Sequence, residues 1–422
     1  DYCFSPTCLA YLRTYLKSAY GTLEALNAEW DTACADWEAV TPITKAQAVQ
    51  HGNFAPWVDH RMAMESMFAD LVHEAGEAIR TVDPSGRVGT EGITGGGMYG
   101  NGGEDSFVGY DFGKIFPAGQ HWGVYFQHYP QIEYLRSFAS ADSVRFTYTQ
   151  PFEEYPGGYF RDAWTNEKVN RFVPWYDLLN GMNGTMYWGS LGTDWYAFYS
   201  ADYRPTPWSK QIAETIQEIN RGVGKLLLNA RRDHCGIAIF YSPASFHVQT
   251  ILGGRERYES PKAFCRALED LGLQYDFVSS QQMAAGKLGD YKVLVLPYSH
   301  AIGKAEAEQI RAFVAQGGAV IADGTPGVMD GHGKKVAEPM LSGVKVQVCT
   351  NPVWKYNDPA VRNGQAGAAC REEIGKALEA AGVEPQFKIV PKDGKELLGC
   401  EVVHFTAGGA EYLAILQGRE YI

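Results

Sequence analysis

The chain has 422 residues, a formal net charge of −12 and a pI near 5.4, with 45% hydrophobic and 20% charged residues. That length holds two or three domains at roughly 100–200 residues each. The acidic balance argues against a nucleic-acid or anionic-membrane surface, which needs clustered Lys and Arg, and no run approaches the roughly 18 apolar residues of a membrane helix.

In chain order, residues 7–20 place Leu9, Leu12, Leu16 and Ala19 at helical spacing, and Gly21 supplies a stop. A short helix over 22–30 follows. Residues 57–81 predict a long amphipathic helix whose stripe is Met64, Met67, Phe68, Leu71, Val72, Ala75 and Ile79. Asp83-Pro84-Ser85-Gly86 breaks it. Strand-like runs then occupy 87–93, 123–129, 144–152 and 185–190, with helical stretches near 131–140, 166–181 and 207–223. Strand alternating with helix predicts parallel strands with crossover helices, here four βα units, half of a (β/α)8 barrel.

After Arg231-Arg232-Asp233 the pattern changes. Strands are expected at 236–241, 275–278, 293–297 and 318–323, and helices at 261–271 and 304–316. This is a second α/β unit, doubly wound in style. From about 340 the pattern weakens, with a helix at 369–382 and β structure at 398–419. The expected division is therefore 1–228 for the barrel portion, 229–340 for the doubly wound unit, and 341–422 for its remainder and the start of a β region. The apparent strand at 412–416 runs close to the last residue, and both ends read as cut.

Chemistry in such sheets sits at the carboxyl ends of the strands. The segments that follow these strands are long, Gly-rich and aromatic: 95–103 and 153–159. Phe152-Glu153-Glu154-Tyr155-Pro156 ends the third strand. A carboxylate there is suited to attack an anomeric carbon, with a second carboxyl about 5–5.5 Å away to protonate the leaving oxygen. The plain alternative is a solvated loop acid. Glu91 ends the first strand and could hold a sugar hydroxyl or be a second acid, against a solvated or Arg-paired residue. Gln127, His128 and Tyr129 end the second strand, where alternation points about half of them inward.

Aromatic residues make up 13% of the chain, with 10 Trp and 25 Tyr. Trp164, Trp188 and Trp195 are candidate sugar platforms, with barrel packing as the alternative. Arg136, Arg145 and Arg161 could orient carboxylates, although snorkelling at the surface is the default for arginine. The eight cysteines are dispersed rather than framed as a disulfide scaffold. Cys3 and Cys8, with Cys34 beyond, make only a weak metal pattern, so no metal and no cofactor is expected. No GxGxxG, HExxH or GxSxG occurs. No signal peptide is visible, and the compartment is not legible.

The stretches Cys3-Phe4-Ser5-Pro6-Thr7-Cys8 and Tyr20-Gly21-Thr22-Leu23-Glu24-Ala25-Leu26-Asn27-Ala28-Glu29-Trp30 resemble the segment after the fourth barrel strand of glycoside hydrolase family 42, the β-galactosidase-like glycosidases. Residues 124–130 are similar to the family's sixth strand, which implies Tyr129 in a sugar pocket. Residues 152–156 are similar to its seventh-strand motif, which implies Glu153 as the nucleophile over Glu154, with Trp164 as the pocket Trp that follows. Residues 180–188 resemble the approach to the eighth strand, and 235–325 the family's trimerisation domain, related to class I glutamine amidotransferases.

The resemblance implies a retaining glycosidase acting on a β-linked carbohydrate, with these residues as the C-terminal half of its barrel followed by the trimerisation domain. Its acid/base, an Asn-Glu pair ahead of the Cys cluster in the family, would precede residue 1, so the 422 residues alone are expected to be inactive. Three departures accompany it: that absence, Ser5 in place of a middle Cys, and a 189–195 segment without the family's galactose-gripping Glu and His, which leaves the sugar open. Two rival readings stand beside it: a non-catalytic carbohydrate-binding member, and a purely structural protein that assembles as a trimer through 235–325. An amidotransferase role is disfavoured, because Pro297-Tyr298-Ser299-His300 stands where a nucleophilic Cys would be wanted.

Overall fold

A computed structural model describes residues 3–93, 110–125, 130–149, 163–187, 191–192, 198–200, 202–254, 256–387, 389–390, 392, 394 and 397–417. Four helices precede the first strand, and three of them enclose a small core of their own, while the short helix Lys45–His51 lies outside it. In α1 (Pro6–Tyr20) the Ser5 hydroxyl accepts from the Cys8 amide at 3.3 Å and Gly21 ends the helix at φ 72°. In α2 (Leu23–Trp30) the Thr22 hydroxyl accepts from the Ala25 amide, satisfying one of the donors a helix start leaves open. The long helix α3 (Ala55–Arg80) runs 26 residues, close to the 57–81 expected, with Pro56 in its first turn where a missing N–H costs nothing. Leu12, Leu16, Leu26, Trp30 and Met64 bury together between these helices. Cys3 and Cys8 form a disulfide rather than metal ligands.

Four parallel strands follow in sequence order: β1 (Gly89–Ile93), β2 (His121–Tyr125), β3 (Val144–Thr149) and β4 (Gly184–Tyr187). Neighbours pair in register, His121 with Val144 and Phe146 with Gly184. Helices α4 (Gln131–Phe138) and α5 (Ala163–Leu179) lie in the β2–β3 and β3–β4 crossovers, as parallel pairing requires. The sheet is that of a partial (β/α)8 barrel. Gly123 is needed on β2, because a Cβ there would lie 2.5 Å from the Phe146 ring.

Beyond α6 (Pro207–Arg221) a second sheet forms from β5 (Ile237–Phe240), β6 (Asp276–Val278), β7 (Val293–Leu296), β8 (Ala319–Ala322) and β9 (Val346–Val348). All pairings are parallel and the spatial order is β9-β8-β7-β5-β6. Read from the other edge this is the doubly wound order 2-1-3-4-5. β5 and β7 are buried at every position, as continuous apolar runs covered on both faces should be. α7 (Pro243–Leu252), α8 (Glu256–Asp270), α9 (Lys304–Ala315) and α10 (Gln365–Ala380) flank the sheet. The chain closes in an antiparallel pair, β10 (Cys400–Ala407) and β11 (Ala410–Gln417), with Arg231–Arg232 on the other side of β10.

The two parallel sheets share one apolar core. Tyr134 of α4 packs on Phe277 of β6 with ring centroids 4.5 Å apart, and Phe138 meets Tyr241 at 5.3 Å. Arg136, expected to snorkel, is buried instead: it pairs with buried Glu133 one turn earlier and donates to Asn180 Oδ1 at 3.0 Å and the Tyr275 carbonyl at 3.1 Å. A second contact joins α3 to α7, where His247 Nε2 lies 2.9 Å from Glu65 Oε1 with both side chains buried.

A third contact is polar and dense. Asp59 of α3, 1% exposed, accepts from the Tyr20 hydroxyl at 2.6 Å, from Trp30 Nε1 at 2.7 Å and from His332 Nδ1 at 2.7 Å. His332 sits in the turn after β8, stacked on Tyr20 at 4.7 Å. Lys334 reaches Asp31 at 2.8 Å and the Ala28 carbonyl at 2.6 Å. Gly333 lets this turn close at φ 85°; a Cβ there would stand 2.9 Å from Val58 Cγ2 and 3.1 Å from Val248 Cγ2.

Candidate active site

Side chains alternate along each strand, so one set of positions on β1–β4 faces the crossover helices and the other faces inward. Trp122, Val124 and Thr147 belong to the helix side. Thr147 and Thr185 donate to the same oxygen of Asp177 on α5, at 2.6 and 2.8 Å. Burial pushes that carboxyl up to about 7, against the two threonine hydrogen bonds, which favour its charged form. Asp177 thus ties α5 to β3 and β4 from behind.

The inward set carries a carboxylate and aromatic rings. Glu91 of β1 is exposed, and its Oε2 accepts from the Tyr148 hydroxyl of β3. Tyr148 stacks on Tyr125 of β2 at 5.6 Å, and His121 of β2 meets Phe146 of β3 edge-on at 5.1 Å. Burial first, then the hydrogen bond to Glu91 and its charge, hold the Tyr148 hydroxyl well above its ordinary pKa, so it stays a neutral donor. A carboxylate beside two stacked phenol rings can accept sugar hydroxyls while the rings cover apolar C–H faces.

Of the residues expected at the site, Glu91 is the one whose side chain is described, and it falls on this inner face. Glu153, Glu154, Gln127, His128, Tyr129, Trp188 and Trp195 lie outside the described residues, as does Arg161. Trp164 falls in the first turn of α5, with its side chain also outside them. All these segments follow directly on the carboxyl ends of β2, β3 and β4 or shortly after. Tyr125, His121 and Tyr148 were not singled out from the sequence, although alternation from Glu91 through paired strands was the available signal. Among the described residues no group of three or more His, Cys, Asp or Glu is arranged to hold a metal.

Comparison with known proteins agrees with this architecture. Residues 1–111 match the family model described as "Beta-galactosidase", and residues 239–348 match "Beta-galactosidase trimerisation domain", together just over half of the chain. Among solved structures the chain is similar to an apo exo-carrageenase of family 42 from Bacteroides ovatus, at 16% identity and TM-score 0.66, covering 95% of this chain and 56% of that one. A β-galactosidase from Bacillus circulans sp. alkalophilus matches at 16% identity and TM-score 0.71, covering 98% and 71%. A β-galactosidase from Rahnella sp. R3 matches at 15% identity and TM-score 0.63, covering 82% and 53%. At these identities the likeness is one of fold. None of the curated proteins matches the chain.

These matches define the class: a glycosidase-type (β/α)8 barrel portion joined to a trimerisation domain. The chain belongs to glycoside hydrolase family 42.

Proposed function

We propose that the parent enzyme is a retaining glycosidase acting on a β-linked oligo- or polysaccharide, with Glu153 as its nucleophile and Glu154 as the alternative. The observation that supports this reading is the inner face of β1–β3, where Glu91, Tyr148 and Tyr125 form a carboxylate-and-ring surface on the strands that precede residue 153 in sequence. β3 leads into the Phe152-Glu153-Glu154 stretch within a few residues of Thr149, the position from which a carboxylate reaches a barrel mouth. The acid partner would come from the strands that complete the barrel, and two carboxyls about 5–5.5 Å apart would keep that acid protonated near neutral pH. Glu91 is assigned to a sugar hydroxyl, with Gln127, His128, Tyr129, Trp164, Trp188 and Trp195 as further sugar contacts. The sugar itself stays open, given the departure at 189–195.

We infer a barrel portion over 1–228, an association unit over 229–340 and a remainder over 341–422, with a homotrimer as the assembly. The match of 239–348 to a trimerisation domain supports the association role, and the 2-1-3-4-5 strand order is compatible with kinship to class I glutamine amidotransferases. The test is Glu153→Ala in the full-length parent. Turnover of aryl β-glycosides should vanish and return with azide as an external nucleophile. Retained turnover, or loss without azide rescue while Glu154→Ala is rescued, rejects Glu153. No turnover by the full-length wild type itself would favour the non-catalytic alternative.

A further inference from the structure

Between the end of β4 and the start of α6 the chain makes a short turn to which no role has been assigned. Phe198 opens it, with its ring edge-on to Tyr187 at 4.9 Å. Tyr187 is the last residue of β4 and pairs with Thr149, the last residue of β3, four positions before Glu153. Thr206 closes the turn and caps α6, its hydroxyl accepting from the Ser209 amide at 3.4 Å. The turn therefore lies on the rim where barrel strands end and helices begin, the face that carries the active site in this fold.

The turn is tied tightly to itself. Thr206 donates its amide and its hydroxyl to the Phe198 carbonyl at 3.0 and 3.1 Å. The Ser200 amide donates to the Arg204 carbonyl at 2.9 Å, and the Tyr203 amide to the Ser200 carbonyl at 2.8 Å. Arg204 and Asp202 form an ion pair at 3.1 Å, and Tyr199 and Ser200 pair with Leu191 and Gly192. What this frame presents to water is aromatic: Tyr199 is 44% exposed and Tyr203 72%.

Tyr203 adopts φ 61°, a left-handed conformation that strains an L residue with a bulky side chain and that glycine or asparagine tolerates. Among the described residues three other non-glycines share that region. Asp31 ends α2 and meets Lys334, and Cys235 and Tyr298 are partly buried. Tyr203 is the one that uses the conformation to hold a ring in open water. Neither packing nor solvation rewards that choice. A ring fixed on a rigid rim does suit the apolar C–H face of a sugar, because little freedom is left to lose on stacking.

We propose that Tyr203, with Tyr199 in the same turn, is an aromatic platform for a sugar unit beyond the cleavage site, so that the substrate is a polysaccharide chain rather than a disaccharide, an inference that rests on the glycosidase reading of the barrel.

The test is affinity electrophoresis of the full-length parent in gels containing β-1,4-galactan, a sulfated galactan, β-1,4-mannan or dextran. Retardation is expected in at least one of the first three and not in dextran. Tyr203→Gly should weaken it about ten-fold, the scale of one lost stacking contact, and Tyr203→Phe should keep it. Val82→Ala, exposed beyond the end of α3 on the opposite rim, should leave it unchanged. The melting temperature of Tyr203→Gly should equal or exceed that of wild type, since glycine relieves the positive φ. Tyr203→Asn, also tolerant of that φ, repeats the test if the glycine loosens the turn. No retardation in any of the first three gels, or retardation equal in Tyr203→Gly, Tyr203→Asn and wild type, overturns the proposal. Retardation lost in Tyr203→Phe as fully as in Tyr203→Gly also overturns it, because the ring is then not what binds. Ring-dependent retardation without azide rescue of Glu153→Ala leaves the platform standing and rejects the nucleophile.

Discussion

The contact at Asp59 makes a prediction that can be worked through from the structure. Asp59→Asn keeps the shape of the side chain. Oδ2 of Asp59 serves both Tyr20 and Trp30, while Oδ1 serves His332. The amide therefore keeps its oxygen toward the two barrel-side donors and turns its NH2 toward His332. A charge-assisted hydrogen bond is replaced by a neutral one. Hydrogen bonds to charged groups contribute about 1.5–3 kcal/mol, and His332, with 35% of its side chain exposed, belongs at the lower end. The expected loss is about 1.5–2 kcal/mol at pH 6.

The loss should depend on pH. Burial pulls the His332 pKa down, but its hydrogen bond to Asp59 and the charges of Asp59, Asp330 and Glu29 outweigh that and push it up to about 9. A group with a raised folded-state pKa contributes stability fully below its unfolded value, near 6.5, and loses it as pH rises through the folded value. Wild type should therefore lose stability from pH 6.5 to above 9, and Asp59→Asn should lose much less. Urea midpoints at pH 6, 8 and 10, followed by tryptophan fluorescence, measure this. A double-mutant cycle with His332→Gln should give a coupling above about 1 kcal/mol at pH 6 that fades by pH 10. A gap between wild type and Asp59→Asn that is the same at all three pH values would refute the reasoning.

Other outcomes follow from the same structure. Gly333→Ala should cost about 1–3 kcal/mol by the same urea assay, since φ is 85° and the new Cβ meets Val58 and Val248. Glu29 is pushed up to about 7 by burial and then by its contact with Asp330. Its share of stability should decline from pH 4.5 to 7, and Glu29→Gln should flatten that part of the profile. Asp177 is also raised, so Asp177→Asn should gain on wild type as pH rises from 4 to 8; a constant difference would show that burial does not govern this carboxyl. In the full-length parent, Tyr148→Phe should lower kcat/KM about ten-fold, the loss of roughly one hydrogen bond, with the melting temperature nearly unchanged. Unaltered kinetics would remove β1–β3 from the substrate site.

What was legible in the sequence is what short-range periodicity encodes. The helix at 57–81 and the strands at 87–93 and 144–152 declared themselves through their apolar positions, and the structure places the helix at 55–80 and strands at 89–93 and 144–149, with 150–152 outside the described residues. β9 was missed for the complementary reason: Val-Gln-Val is three residues long, lies at the sheet edge and is largely exposed, so no burial pattern marks it. Arg136 was misjudged because the partners that pull it inward, Asn180 and the Tyr275 carbonyl, stand 44 and 139 residues away. His332 meets Asp59 across 273 residues, and its turn reads as ordinary polar loop.

The site divides the same way. Glu91 was found from its place at a strand end, but its partner Tyr148, 57 residues on, becomes visible only when β1, β2 and β3 are laid in register. Register also decides which side chains of β3 share a face with those of β2. His121 pairs with Val144 and Tyr125 with Tyr148, so Tyr125 and Tyr148 share one inner face, and the hydrogen bond from Tyr148 brings Glu91 to it across an irregularity in the β1–β2 register between Thr90 and Ile93. A one-residue slip of β3 would turn Tyr148 to the helix side and bring Thr147, which now holds Asp177, to the front. The hydrogen bonds of Thr147 and Thr185 to Asp177 oppose that slip from behind, while the Gly123 notch beneath Phe146 opposes it from the front. The facing of β3, as far as Thr149, is thus held by contacts on both sides of the sheet.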